Sequence, residues 1–304
     1  MYARAALLLL LLLSASCLTE AGETLEFPNF VQATVTLPGE IGVRPFFSQA
    51  GNYAVVAVGD TLYHMEMRHG RVHGTTAMPG EVSGMAGGDG GPLFAATGGT
   101  LCRIQGFEVA ETVSLPCQCL AVTDCGGDPL LLMEDGTLVL RSGEDLSTIA
   151  QYEPGLDEVL MVKGFPGMVC VASPLGVLTT FSIPDFNRVA ENVLNGEITF
   201  LENSGDRTLL LSTDTWNEVG CCSPGDLVLQ DMFTFPTAPV RAAADSSASF
   251  VFAVCPGSGI QVCRKSGEIA WRSDSYPEGA WVSLSSDCET ALIAFGNELD
   301  ILIR

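Results

Sequence analysis

Residues 58–65 read VGDTLYHM, in which Gly59 and Asp60 form a tight turn and Leu62 heads a short apolar strand. The same phrase returns as TGGTLCRI (97–104), EDGTLVLR (134–141), PLGVLTTF (174–181), PGSGIQVC (256–263) and FGNELDIL (295–302). Glycine suits such turns because positive φ costs it little. Leu62, Leu101, Leu138, Val177, Ile260 and Leu299 are read as equivalent places, at successive spacings of 39, 37, 39, 83 and 39 residues. The interval of 83 holds two periods, and RTLLLSTDTWNEVGCC (207–222) is a degenerate copy within it.

A second marker precedes each unit. It reads LPGE (37–40), MPGE (78–81), LPCQ (115–118), EPGLD (153–157), LNGE (194–197), FPTAP (235–239) and YPEGA (276–280). Seven such links start seven units near residues 41, 82, 119, 158, 198, 240 and 281. A unit of about 40 residues holding four short strands is a propeller blade. The expected fold is therefore all-β, a seven-bladed β-propeller over residues 25–304. Trp281 to Arg304 leaves room for three strands only, whereas residues 25–37 supply a strand with no unit of its own. PNFVQATV (28–35) also parallels PDFNRVAE (184–191), the fourth strand of unit four. The N-terminal strand is thus expected to complete the C-terminal blade, pairing edges that would otherwise stay open. The alternative is a six-bladed ring with an N-terminal tail.

Composition narrows the function. The 304 residues are 47% hydrophobic, which is too apolar for a disordered chain. The formal net charge is −22, and only two of the 14 basic residues are lysines. No basic surface for nucleic acid can be assembled from that.

The N-terminus carries one base, Arg4, then the leucine run Leu7 to Leu13, then small residues leading to Cys17. This is the three-part pattern of an export signal, too short to span a bilayer permanently. Leu13-Ser14-Ala15-Ser16-Cys17 resembles the bacterial lipobox, with Ser14 where a branched apolar residue is usual. The resemblance implies a signal over 1–17, lipidation of Cys17, a linker over 18–24 and attachment through lipid. Leu18, rather than an aspartate, follows the cysteine, which implies the outer membrane in a two-membrane cell. Simple cleavage after Ala21 is the alternative. Signal removal takes Arg4 with it, so the mature chain would be repelled by anionic lipid heads and held by its lipid alone.

The repeat resembles the YVTN-repeat and quinoprotein-like propellers of bacterial envelopes. KSGEIAW (265–271) is its sharpest part: Ser266, Gly267, Glu268 and Trp271 occupy the places of the Thr-Gly-Lys-x-x-Trp docking motif. The resemblance implies that Trp271 packs between blades. The motif stands in one blade only, so no quinone is implied and no cofactor is expected.

Three groups of residues could carry chemistry. His64, His69 and His73 fall in one hairpin, where His69 and His73 could approach each other as metal ligands. The plainer reading is an exposed outer hairpin. Cys117, Cys119 and Cys125 form the densest group of cysteines, open to a disulfide, a redox or zinc role, or simple burial. Vicinal Cys221 and Cys222 should point to opposite faces of one strand. GGDGG (87–91) precedes a strand rather than a helix and reads as a turn, and no Gly-x-Ser-x-Gly elbow is present.

Carboxylates give the strongest lead. Blade links and the turns between second and third strands share one face of a propeller. Glu40, Glu81, Asp157, Glu197 and Glu278 on the links would then form an acidic rim, joined by Glu153, Glu158, Asp60, Glu134, Asp135, Asp214 and Glu298. Such a field attracts a basic protein surface. The function expected from sequence is a non-catalytic binding scaffold of the cell envelope, with a protein partner on this face. The alternatives are a lyase, hydrolase or quinone-dependent dehydrogenase using the channel, for which Arg44 and Arg241 alone offer little, and a subunit of a larger surface assembly.

Overall fold

A computed structural model describes residues 31–48, 52–87, 91–154, 159 and 161–303. The signal over 1–17 with Cys17, the linker 18–24, and Asp157 and Glu158 lie outside the described residues. The described chain forms seven four-stranded antiparallel sheets arranged as successive blades.

Blade one runs Phe46–Ser48, Tyr53–Val58, Thr61–Glu66 and Arg71–Ala77 from inside to outside. Blades two and three begin with the inner strands Gly84–Gly87 and Cys119–Asp124. Blades four, five and six begin with Met161–Phe165, Ile198–Ser204 and Arg241–Ala244. The seventh blade is built from both ends of the chain. Trp281–Leu284, Thr290–Phe295 and Glu298–Ile303 supply three strands, and Val31–Thr36 pairs antiparallel with the last, Val35 opposite Leu299. Head and tail therefore close the ring, and the six-bladed alternative is excluded.

Local sequence explains each strand's place. The second strands are continuous apolar runs, such as PLLLM (129–133) and FVFAVC (250–255), buried along their length. They are covered on both faces by neighbouring blades, so no alternation is possible. The outer strands alternate instead: EVAETVS (108–114) exposes every second residue. Successive side chains in a strand point to opposite faces. In blade four Val169 and Val171 face blade three, while Cys170 and Ala172 face blade five. The described core consequently divides into seven apolar clusters, one for each contact between successive blades. The cluster between blades seven and one joins Leu292 and Leu299 to Val56 and Met65, with Ala33 and Val35 of the N-terminal strand packed on it.

One equivalence differs from the sequence reading by a residue. Leu62, Leu101, Leu138, Ile260 and Leu299 are all fully buried at the head of third strands, but Val177 is half-exposed and Leu178 takes the buried place. In blades three and four the positive-φ glycine, Gly136 or Gly176, lies two residues before the buried leucine; at Gly59 and Gly98 it lies three before. The turn of blade four thus matches that of blade three, and Leu178 is the counterpart of Leu138. Val219 fills the corresponding place in degenerate blade five.

The turn into the outer strand carries an unusual feature in three blades. Leu146, Phe186 and Leu227 adopt positive φ (52°, 51° and 55°), yet all three are buried. Each pays a left-handed backbone penalty to drop a large apolar side chain into the interblade core.

Candidate functional site

Hydrogen bonds tie the links at 37–40, 78–81, 115–118, 194–197 and 235–239 to turns between second and third strands. Met78 and Val82 donate backbone N–H groups to Asp60 and Gly59 carbonyls at 2.8 and 2.9 Å. Asp214 N–H donates to the Glu197 carbonyl at 2.9 Å, and Asp214 Oδ1 accepts from Glu197 N–H at 2.8 Å. Links and turns thus occupy one face. Glu40, Glu81, Glu197 and Glu278 are all exposed on links, as is Glu153. Asp60, Glu134, Asp135 and Asp214 are exposed on turns. Two of these acids have structural work: Asp214 fixes a link, and Asp135 Oδ1 accepts from Thr137 N–H at 3.0 Å, which lowers its pKa. The glutamates of the links therefore make up the freely presented part of the rim.

The inner strands surround a central cavity of about 820 Å³, lined by residues from all seven blades. Its wall includes the apolar side chains of Val43, Phe46, Met85, Leu120, Trp281 and Leu284. Charges meet across it. Arg44, in the link to blade one, donates through Nε to Val282 O at 3.0 Å and Ser283 Oγ at 3.1 Å, and through Nη1 to Glu202 Oε2. Lys163 Nζ approaches the same Glu202 oxygen at 2.7 Å. Glu202 is 15% exposed, Arg44 26% and Lys163 25%. Burial raises the Glu202 pKa, but Arg44 and Lys163 together outweigh it and hold the carboxyl below its usual range. Arg241 lies over the Trp281 ring at 3.7 Å and donates to Ala280 O at 2.9 Å.

Toward the opposite face the lining becomes acidic. Asp124 accepts from Gly127 N–H at 3.0 Å and Gly126 N–H at 3.2 Å. Its pKa is raised, chiefly by burial, with repulsion from Asp128 and Asp206 adding to it. Asp206 and Gly87 line the same cavity. Of GGDGG, residues 88–90 lie outside the described residues, and Gly87 and Gly91 flank the turn between first and second strands.

The three histidines separate. His69 Nδ1 is 2.8 Å from Glu66 Oε1, and Arg71 Nε donates to Glu66 Oε2 at 2.7 Å. His73 packs on the rings of Tyr53 and Phe107 instead, and His64 Nε2 lies 2.8 Å from Thr76 Oγ1. His69 ends a 3-10 turn over Met67–His69 and meets a carboxylate, whereas His73 lies in the following strand among aromatics, so they form no ligand pair. No group of three metal-ligating side chains occurs among the described residues.

The cysteines are core residues. Cys119 belongs to the cluster between blades two and three, Cys125 to that between three and four, and both are free thiols, as is Cys117. Cys117 packs on the same cluster as Cys119, so the blade interfaces separate Cys125 from the other two, and the three do not gather as metal ligands. Cys221 and Cys222 face different interfaces, as their adjacency required. Trp271 packs on the cluster between blades six and seven.

The sequence reading missed Lys163 and Glu202. A signal was present: each is a charge inside an inner strand whose neighbours are apolar, MVKGF (161–165) and ITFLENS (198–204). Arg44 and Arg241 were noted, but only the closed ring shows that they join these two.

With the geometry in view, solved structures resemble this chain in fold. The β-propeller domain of Cps50 (Swd1) from Myceliophteria thermophila matches with a TM-score of 0.76 and 11% identity, covering 91% of this chain and all of that one. A chain of the mitotic checkpoint complex matches at 0.75 and 11% identity, covering 91% and 93%. At that identity the likeness shows the fold and nothing finer. No family model matches the sequence, and no curated protein does. Among the described residues, no helix is long and apolar enough to cross a membrane.

Proposed function

We propose that this chain is an exported, lipid-anchored scaffold of the bacterial cell envelope that presents its link face to a basic surface of a protein partner. One observation carries the reading: Glu40, Glu81, Glu197 and Glu278 stand exposed on links that share one face, in a chain of net charge −22. Rigid sheets below and mobile-length carboxylates above make a surface that speeds encounter with cations and is screened by salt. The lipobox-like Leu13–Cys17 and the YVTN-like repeat support the envelope location, with Cys17 as the lipid site. A propeller of the same shape occurs in the mitotic checkpoint complex, an assembly of proteins, which supports scaffolding as a use of the shape.

The test is affinity capture from membranes by the full chain, with mass spectrometry of the N-terminus and of the companions. Replacing Glu40, Glu81, Glu197 and Glu278 together by glutamine should keep the thermal midpoint and abolish capture. Wild-type capture should fall between 0.05 and 0.5 M salt, over which screening lengths shorten several-fold. Unchanged capture by the quadruple variant would remove the rim from the function, and an unmodified Cys17 in the mature protein would remove the anchor.

A further inference from the structure

We propose that the central channel binds a small organic anion, a carboxylate or a phosphate monoester, with Arg44 and Lys163 as its cationic wall and Glu202 as a resident competitor. This inference is independent of the link-face reading.

The chain has 14 basic residues against 36 acidic ones, yet two of the bases meet on one carboxylate oxygen inside the ring. Arg44 and Lys163 both use Glu202 Oε2, and the field of Glu202 also reaches Arg241. The balance at that oxygen is two positive groups to one negative group. Partly buried cations need a counter-charge, because desolvation otherwise disfavours them. A single shared oxygen supplies less than full compensation. An anion entering the cavity would complete it.

The position fits a bound molecule rather than a packing accident. Arg44 and Lys163 keep about a quarter of their side chains exposed and line the cavity directly. The volume of about 820 Å³ lies within the usual range for small-molecule sites. Phe46, Met85, Leu120 and Trp281 offer an apolar wall for the carbon body of the ligand. Asp124 and Asp206 toward the far face repel a second anionic group, so the ligand should be charged at one end. Arg44 is held by Val282 O and Ser283 Oγ before any ligand arrives, so its guanidinium is oriented in advance.

The experiment is calorimetric titration of the full chain in 0.15 M salt with phenyl phosphate, benzoate and, as an uncharged control, benzamide. Saturable binding of at least one anion, without binding of benzamide, is expected. Preference between the two anions assigns the class. Lys163→Met should weaken binding at least tenfold. Glu202→Gln, which removes the competitor but keeps the volume, should tighten it about fivefold and enlarge the anion-dependent rise in thermal midpoint. Should Glu202→Gln fail to fold, wild type against Lys163→Met decides alone. Absence of saturable anion binding by the wild type, equal binding of benzamide, or indifference to Lys163→Met would overturn the proposal.

Discussion

Lys163 Nζ lies 2.7 Å from Glu202 Oε2, joining the inner strands of blades four and five inside the channel. Arg44 reaches the same oxygen from the link to blade one. Glu202 therefore ties three blades that the sequence separates widely.

The tie is sensitive to pH. The folded-state pKa of Glu202 is below its ordinary value of 4.5. Its contribution is fully present above that value and is lost as pH falls through the lower folded pKa. Chemical denaturation between pH 6 and pH 3 should show a loss of stability that Glu202→Gln lacks. At pH 7 that variant should be less stable by about 2 kcal/mol, the part-exposed setting lowering the cost of a fully buried pair.

Ring closure rests on Asp300, a buried carboxylate in the last strand. Its Oδ1 accepts from Thr34 Oγ1 at 2.7 Å and its Oδ2 from Tyr276 O–H at 2.8 Å. The first bond holds the N-terminal strand, the second the link between blades six and seven. Burial and this hydrogen bond both raise the Tyr276 pKa. Asp300→Ala should cost about 3 kcal/mol in urea denaturation, and Thr34→Val about 1 kcal/mol. Deleting residues 31–37 should lower the thermal midpoint by roughly 10 °C or more, as both the strand and its cluster are lost. An unchanged midpoint would contradict closure as a source of stability.

Leu227 should respond oddly to truncation. It is buried between blades four and five, has φ of 55°, and its carbonyl accepts from Asn192 Nδ2 at 3.0 Å. Leu227→Ala removes packing worth about 3 kcal/mol while keeping the backbone strain. Leu227→Gly removes the same packing but relieves the strain. Glycine should therefore be no worse than alanine, the reverse of the usual order in a strand or helix, and equilibrium unfolding of the pair checks this.

The thiols should be slow to react. Burial pushes Cys102 and Cys255 up to about 11, and Cys119, Cys170, Cys221 and Cys222 up to about 12. Cys117 is half-buried. Alkylation of the native protein at pH 8, read by peptide mass spectrometry, should modify Cys117 first and leave those six untouched until denaturant is added. Fast labelling of Cys170 or Cys221 in the native state would show that their interfaces open.

Much of the architecture was legible because it is locally encoded. Turn glycines, link prolines and short apolar runs recur with the period of one blade, and each acts within a few residues. The shortage of strands after Trp281 even disclosed the closure by residues 31–36. The reading at Val177 was off by one residue, since Gly176 stands to Leu178 as Gly136 does to Leu138. The exposure of Glu40, Glu81, Glu197 and Glu278 followed from their placement in links.

Side-chain meetings were another matter. His69 and His73 are near in sequence but face Glu66 and aromatic rings, because His69 ends a 3-10 turn and His73 lies in the strand after it. Cys119 and Cys125 are close in sequence but serve different blade interfaces.

Periodicity alone determined that this chain is a closed ring of seven four-stranded sheets, since strand burial and turn geometry depend on immediate neighbours. Only the tertiary structure decided that Arg44, Lys163 and Glu202 share one channel. Arg44 and Glu202 are 158 residues apart, and charges at that separation meet only when seven inner strands converge on one axis.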